Sequence, residues 1–320
     1  MEWIMRPHTL SPLPPFDRLF LTDAGLETDL IYNHGIDLPF FASISLLRTE
    51  SGRQALKDYY RPYLELAARH GAGFVLESVS WRASPDWAVP LGLTPAELDA
   101  LNVASVDLLH ELRDAFEPHG FPILVSGCMG PRGDGYDPGR IMSRIEAEDY
   151  HSHQAAILSS ARPDMLSAFT MNNVNEAIGI TRAAAATARP FVLSFTVETD
   201  GRLPTGDPLG AAIEVVDAAT EDYPAYYMIN CAHPEHFATT LDEDADWVAR
   251  IRGIRANASR CSHAELDAMT ALDAGDPRDL ALRYRALRAR HPQIQVLGGC
   301  CGTDHRHVEA IASECLLATN

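Results

Sequence analysis

The sequence predicts one α/β domain, a (β/α)8 barrel of the TIM type, on three observations. The chain has 320 residues, 46% of them hydrophobic, enough for a sizeable core. Short apolar runs recur eight times without strict alternation, the pattern of strands buried on both faces of a parallel sheet. An amphipathic stretch follows each run, and no low-complexity linker divides the series. A doubly wound open sheet is the alternative; no GxGxxG follows the first run, which favours the barrel.

Residues 1–18 carry several prolines and no apolar h-region, so they read as an irregular arm rather than a signal peptide, with the barrel over 19–320. The expected strands are Leu19 to Asp23, Phe74 to Val79, Pro122 to Cys128, Asp164 to Phe169, Phe191 to Val197, Ala225 to Cys231, Ile254 to Asn257 and Ile294 to Cys300. Between them, Ser51 to His70 places Leu56, Tyr59, Tyr60, Tyr63, Leu64 and Ala67 at helical spacing before Gly71 as a stop. Thr94-Pro95-Ala96-Glu97 is a capping box with proline at the first helical position, opening a helix toward Phe116. Ser262-His263-Ala264-Glu265 is a second capping box, and Asp276-Pro277 opens a helix that ends near His291, before Pro292.

Barrels of this kind carry their chemistry at the C-terminal ends of the strands. The residues to weigh are therefore Asp23, Glu77, Cys128, Phe169, Thr196, Glu198, Cys231, Asn257, Cys300 and Cys301.

Charge narrows the partners. Lys plus Arg number 26 and Asp plus Glu 44, a net charge of −18, so the field repels phosphate. Nucleic acid and anionic membrane are not expected partners, and no apolar run approaches the ~18 residues of a membrane span. The expected partners are small molecules, and a homo-oligomer is left open. Six cysteines are too few for a disulfide scaffold in so long a chain and fit a reducing cytoplasm.

Three of those cysteines fall at strand ends: Cys231 after the sixth run, Cys300 and Cys301 after the eighth. Three thiolates converging there leave a fourth tetrahedral position open, the pattern of a catalytic zinc. The competing reading is that adjacent cysteines pack as small apolar residues. Cys231 with His233 and His236 is another metal grouping. Cys261 is placed near the site, Cys315 in the core and Cys128 in a pocket wall.

Asn230-Cys231, with the glycine-flanked pair Gly298-Gly299-Cys300-Cys301-Gly302-Thr303, resembles the homocysteine S-methyltransferase family. Leu21-Thr22-Asp23-Ala24-Gly25-Leu26-Glu27-Thr28 resembles its opening motif, with Ala24 where a glycine is usual. Ser126 to Pro131, Ser194-Phe195-Thr196 with Gly201 to Gly206, and Asn257 are similar in support, and the resemblance runs from Leu19 to the C-terminus. It implies a barrel in which Cys231, Cys300 and Cys301 hold Zn²⁺. It further implies that zinc deprotonates a thiol, which attacks an activated methyl group, homocysteine giving methionine in methionine biosynthesis. No protein nucleophile is needed. Substrate contacts are expected from Asp23, Glu77, Phe169, Thr196 and Asn257.

Two departures bear on the acceptor. Phe169 stands where the family commonly has glutamate, and Glu77 where it more often has threonine. Glu77 is expected to meet a substrate ammonium beside Asp23, or else to pair with Arg82 or another arginine. Trp81 and Trp87 are candidates for a donor pocket. No Walker A or DxHxxG motif occurs, so nucleotide and cobalamin are disfavoured, and the methyl donor is left open. A family member acting on another thiol or a methyl thioether, a zinc barrel without turnover, and a Cys300/Cys301 dithiol redox enzyme are the rivals.

Overall fold

The computed structural model describes residues 18–316. All but Arg18 of the expected N-terminal arm lies outside the described residues. Eight parallel strands close into a barrel in chain order: β1 (Phe20–Leu21), β2 (Gly73–Glu77), β3 (Ile123–Met129), β4 (Met165–Met171), β5 (Phe191–Phe195), β6 (Tyr226–Asn230), β7 (Ile251–Ala256) and β8 (Val296–Gly299). β8 returns to pair with β1 at Phe20↔Val296 and Leu21↔Leu297. Helices cover the outside, so the strands are buried on both faces, as their unalternated apolar runs require.

Helix boundaries follow the local chemistry. Thr94/Glu97 and Ser262/Glu265 form the expected capping boxes, and Ser143/Glu146 forms a third at the start of Arg144–Ser160. The helix Glu50–His70 buries Leu56, Tyr59, Tyr60, Tyr63 and Leu64 and stops at Gly71, whose φ of 62° suits a residue without a β-carbon.

Two strands differ from expectation. β7 starts three residues earlier than the apolar run beginning at Ile254, because Arg252 and Gly253 interrupt that run. Gly253 is small for a packing reason: a β-carbon there would meet Met228 Cε at 2.5 Å. β1 shrinks from the expected five residues to two. Its chain stays docked to β8 beyond that point, with Thr22 N donating to Leu297 O (2.9 Å) and Gly299 N to Asp23 O (3.0 Å).

The two-residue side-chain period then sorts the barrel interior into tiers. Phe20, Val75, Met165, Val192, Tyr226, Met228 and Val296 pack together as the apolar floor. One step nearer the mouth stand Glu77, Ser167, Ser194 and Asn230 on these strands, with Ser126 on β3 and Arg255 on β7, all buried. Above this polar tier the strands end at a mouth.

Candidate metal centre and substrate cavity

A cavity of about 280 Å³ opens at that mouth. Asp23, Glu27, Glu77, Trp81, Cys128, Tyr136, Phe169, Arg255 and all three strand-end cysteines line it. Among the described residues, Cys231, Cys300 and Cys301 form the metal-competent group, their sulfurs within 4.8 Å of one another. Tetrahedral Zn–S bonds of about 2.3 Å would set sulfurs about 3.8 Å apart, so the group fits such an ion. In this structure Cys231 and Cys300 are joined as a disulfide and Cys301 is free. Binding of a metal by all three sulfurs would require the reduced form.

The backbone that presents these sulfurs is held in place. Cys231 lies in the left-handed region, φ 53°, uncommon for a residue with a β-carbon. Its carbonyl is gripped by Asn257 Nδ2 (3.0 Å), His263 Nε2 (2.6 Å) and, at the limit, Thr196 Oγ1 (3.5 Å). Asn230, one residue earlier, accepts from Thr170 N (2.9 Å) and Ser194 Oγ (2.6 Å) and donates to Thr170 Oγ1 (2.8 Å). It thereby ties β4, β5 and β6 together beneath the cysteine. On the other side, Gly302 turns the chain after Cys301 with φ 80°, and a β-carbon on Gly25 would collide with the Cys300 carbonyl.

Tyr136, from the loop after β3, covers this group. Its hydroxyl is 3.6 Å from Cys301 Sγ and its ring stacks on His263 at 4.0 Å. Burial raises the Cys301 thiol, and the Tyr136 hydrogen bond opposes that rise. His263 is oriented from behind by Glu198 Oε1 at 3.2 Å.

The charged groups beside the cysteines form a closed set. Asp23 Oδ1 accepts from Arg255 Nη2 (2.8 Å) and Oδ2 from the Tyr59 hydroxyl (3.1 Å). Burial raises the Asp23 carboxyl, and Arg255 and Tyr59 offset part of the rise. Glu77 Oε2 accepts from Ser167 Oγ (2.6 Å), which accepts from Ser126 Oγ (2.9 Å). Burial raises Glu77 as well. Burial alone would lower the Arg255 guanidinium, but Asp23 and Glu77 outweigh it and push it up. Its Cζ also sits 5.3 Å from the Phe169 ring.

Asp23, Glu77, Phe169, Cys231, Cys300 and Cys301 thus meet on one cavity as expected. Thr196 and Asn257 do not line it: both are buried behind Cys231 and hydrogen-bond to its carbonyl. Glu77 does not pair with Arg82, which bonds Phe40 O and Asp134 instead. The Cys231–His233–His236 grouping does not form. His233 caps Glu235 N, and His236 bonds Arg260 O. Cys261 stays off the cavity, Cys128 is in its wall, and Cys315 is core. Trp81 lines the cavity, whereas Trp87 lies outside it, beneath Arg82.

Arg255, Tyr136 and His263 are the site residues that sequence reasoning did not single out, and Asn230 entered it only as the residue beside Cys231 in a motif. An arginine inside an apolar strand run was a readable signal for the first. Tyr136 sits in an irregular loop, where no periodicity could mark it.

A family model described as homocysteine S-methyltransferase matches residues 20–315. Homocysteine S-methyltransferase 4 of Zea mays is 24% identical over 310 residues, covering 91% of this chain and 88% of that protein. Homocysteine S-methyltransferase 1 of the same plant is also 24% identical, covering 91% and 92%. Among solved structures, the oxidized form of the homocysteine methyltransferase MmuM from Escherichia coli superposes with a TM-score of 0.73 at 22% identity, covering 93% of this chain and 96% of that one. Its metallated form, with the same identity and coverage, gives 0.68.

Proposed function

Because this chain belongs to the homocysteine S-methyltransferase family, we propose that it methylates the sulfur of a small thiol at a zinc site made by Cys231, Cys300 and Cys301. Homocysteine, giving methionine, is the reference acceptor. The observation that carries the reading is the convergence of three cysteine sulfurs within 4.8 Å at the mouth of the barrel cavity. Zinc bound there would supply an acceptor thiol deprotonated at neutral pH.

The chain's own residues do the rest by positioning. Asn257, His263 and Thr196 hold the Cys231 backbone so that its sulfur faces Cys300 and Cys301. Tyr136, stacked on His263, covers the Cys301 side of the sulfur cluster. Trp81 and Phe169 give the cavity aromatic wall against which an alkyl chain or a methyl donor can lie. No side chain is required to form a bond to the methyl group, since the acceptor's own sulfur attacks in line. The need for three reduced thiols suits a reducing compartment such as the cytoplasm.

The test is metal analysis of the reduced, zinc-treated protein, followed by transfer of labelled methyl from a panel of donors to a panel of thiols. S-methylmethionine, S-adenosylmethionine, betaine and a methyl folate make up the donor panel. Bound zinc with a methylated thiol supports the reading. Bound zinc without transfer from any donor favours a barrel that binds metal without turnover.

A further inference from the structure

Methyl transfer at this site sets a chemical problem. Cys231, Cys300 and Cys301 line the same cavity that a methyl donor must enter. Their thiolates and the acceptor's are all alkyl thiolates, so a donor has no chemical reason to methylate one and spare the others. Whatever weakens a cysteine sulfur as a nucleophile, without touching the acceptor, makes the transfer selective.

Tyr136 is placed to do this at Cys301. Its hydroxyl lies 3.6 Å from Cys301 Sγ, and among the described residues that sulfur is its sole hydrogen-bond partner. A thiolate can only accept, so against it the hydroxyl donates. The placement is held from several sides. Asp134 Oδ1 accepts from Tyr136 N (2.8 Å), and Asn172 Nδ2, just past β4, donates to Asp134 O (3.1 Å) and Gly135 O (3.2 Å). Glu176, buried in the helix that follows β4, accepts from Arg132 N (2.6 Å) and meets His151 Nε2 at 2.9 Å. The ring stacks on His263, which itself grips the Cys231 carbonyl. A tyrosine on an irregular loop is thus fixed through its backbone and across its ring, with its hydroxyl at the sulfur. Cys231 Sγ has a weaker counterpart in Thr170 Oγ1 at 4.0 Å, and Cys300 Sγ, joined to Cys231, has none among the described residues.

A hydrogen bond to a thiolate is strongest while the sulfur carries its full charge and fades as that charge passes into a new S–C bond. It stabilises the starting state more than the transition state, and so slows alkylation. Resting on the methyl-transfer reading above, we infer that the Tyr136 hydroxyl protects Cys301 from methylation and so directs transfer to the acceptor's sulfur. The step it suppresses is a self-methylation. The Cys301 thiolate forms an S–CH3 bond, the donor's own bond to that methyl breaks, and its electron pair leaves with the donor: a sulfonium departs as a neutral sulfide, methyl iodide as iodide. Each such event leaves a thioether in place of a metal-binding thiolate.

The test treats the reduced, zinc-loaded protein with methyl iodide, without an acceptor thiol, and follows the initial methylation of each cysteine by peptide mass spectrometry. In the wild type Cys301 should react more slowly than Cys300. In Tyr136→Phe, which keeps the ring and its stack, Cys301 should react about tenfold faster, the effect of losing one charge-assisted hydrogen bond, with Cys231 and Cys300 unchanged. In the cobalt-substituted protein the same change should move the sulfur-to-metal charge-transfer band to lower energy, because the released sulfur gives up its electrons more readily. An unchanged Cys301 rate or an unmoved band overturns the inference. So does an equal rise at all three cysteines, which would make Tyr136 a screen against access. Wild-type Cys301 reacting as fast as Cys300 overturns it even if the variant fails to fold. Metal content is measured first: wild type that binds no metal overturns the functional reading together with this inference, whereas bound metal with equal Cys301 rates overturns this inference alone.

Discussion

Replacing Asn257 by alanine asks whether the Cys231 backbone has to be held. Cys231 has φ 53°, a conformation that costs a residue with a β-carbon roughly 1–2 kcal/mol. The hydrogen bonds to its carbonyl offset that cost, with Asn257 at 3.0 Å and His263 at 2.6 Å. Losing the Asn257 amide removes one neutral hydrogen bond, about 1 kcal/mol net, and leaves His263 in place. At about 1.4 kcal/mol per decade, zinc affinity should fall roughly fivefold to tenfold, at the low end of what groups behind metal ligands contribute. Asn257→Asp should be worse, because it sets a carboxylate oxygen against the carbonyl oxygen and buries a charge. Asn257→Ala with His263→Ala should exceed the single change, since little then opposes the strain. The assay is competition against a chromogenic chelator, using reduced protein at fixed pH with circular dichroism to confirm the fold. A well-folded double variant with unchanged zinc affinity would refute the reasoning.

Other expectations follow from the same geometry. The reduced protein should bind about one zinc per chain, losing it in Cys300→Ser or Cys301→Ser and keeping it in Cys315→Ser; full occupancy of the Cys300→Ser, Cys301→Ser double variant would remove the assignment. Chelation should abolish methyl transfer while the melting temperature and far-ultraviolet spectrum largely persist, because an ion held by these cysteines would sit at the mouth and not in the core; collapse of the fold would make the metal structural. His233, pushed down to about 4 by burial together with Arg283 and His236, binds a proton more readily when unfolded, ordinarily near 6.5. Its contribution is therefore present in full above about pH 6.5 and lost as the pH falls toward about 4. Melting temperatures across that window should fall less steeply in His233→Asn, which can still accept from Glu235 N but does not titrate.

The barrel was legible because each buried strand is a short unbroken apolar run, and β7 was misplaced where Arg252 and Gly253 break that rule. The cysteine cluster was legible because Cys231, Cys300 and Cys301 stand where apolar strand runs end, while the glycines beside the pair serve packing more than bending. Gly298 leaves room for Thr22, Gly299 leaves room for Thr303, and only Gly302 is there for its backbone angle. What the sequence hid is depth. Thr196 and Asn257 stand at strand ends like substrate contacts, but their side chains turn to the Cys231 carbonyl. Likewise Asp23 and Glu77 read as a pair waiting for a cation. The strand register places Arg255 among them, and pairing across a barrel is long-range information that residue order does not carry.

The two-residue strand β1 also bears on how the ion would come and go. The seam it closes with β8 runs through Phe20 N to Gln295 O, Thr22 N to Leu297 O and Gly299 N to Asp23 O. Cys300 and Cys301 hang from one side of that seam, and Cys231 lies two strands away. Cys300 and Cys301 are also tied to the chain of β7, through Cys300 N to Ala256 O and Ala258 N to Cys301 O, so drawing two sulfurs away from the third requires the seam and these two bonds to part together. Metal loss would then be a local fluctuation rather than an unfolding event. Its rate should level off at high chelator concentration and barely respond to mild denaturant. The amides of Phe20, Thr22 and Gly299 should exchange with solvent on the same timescale.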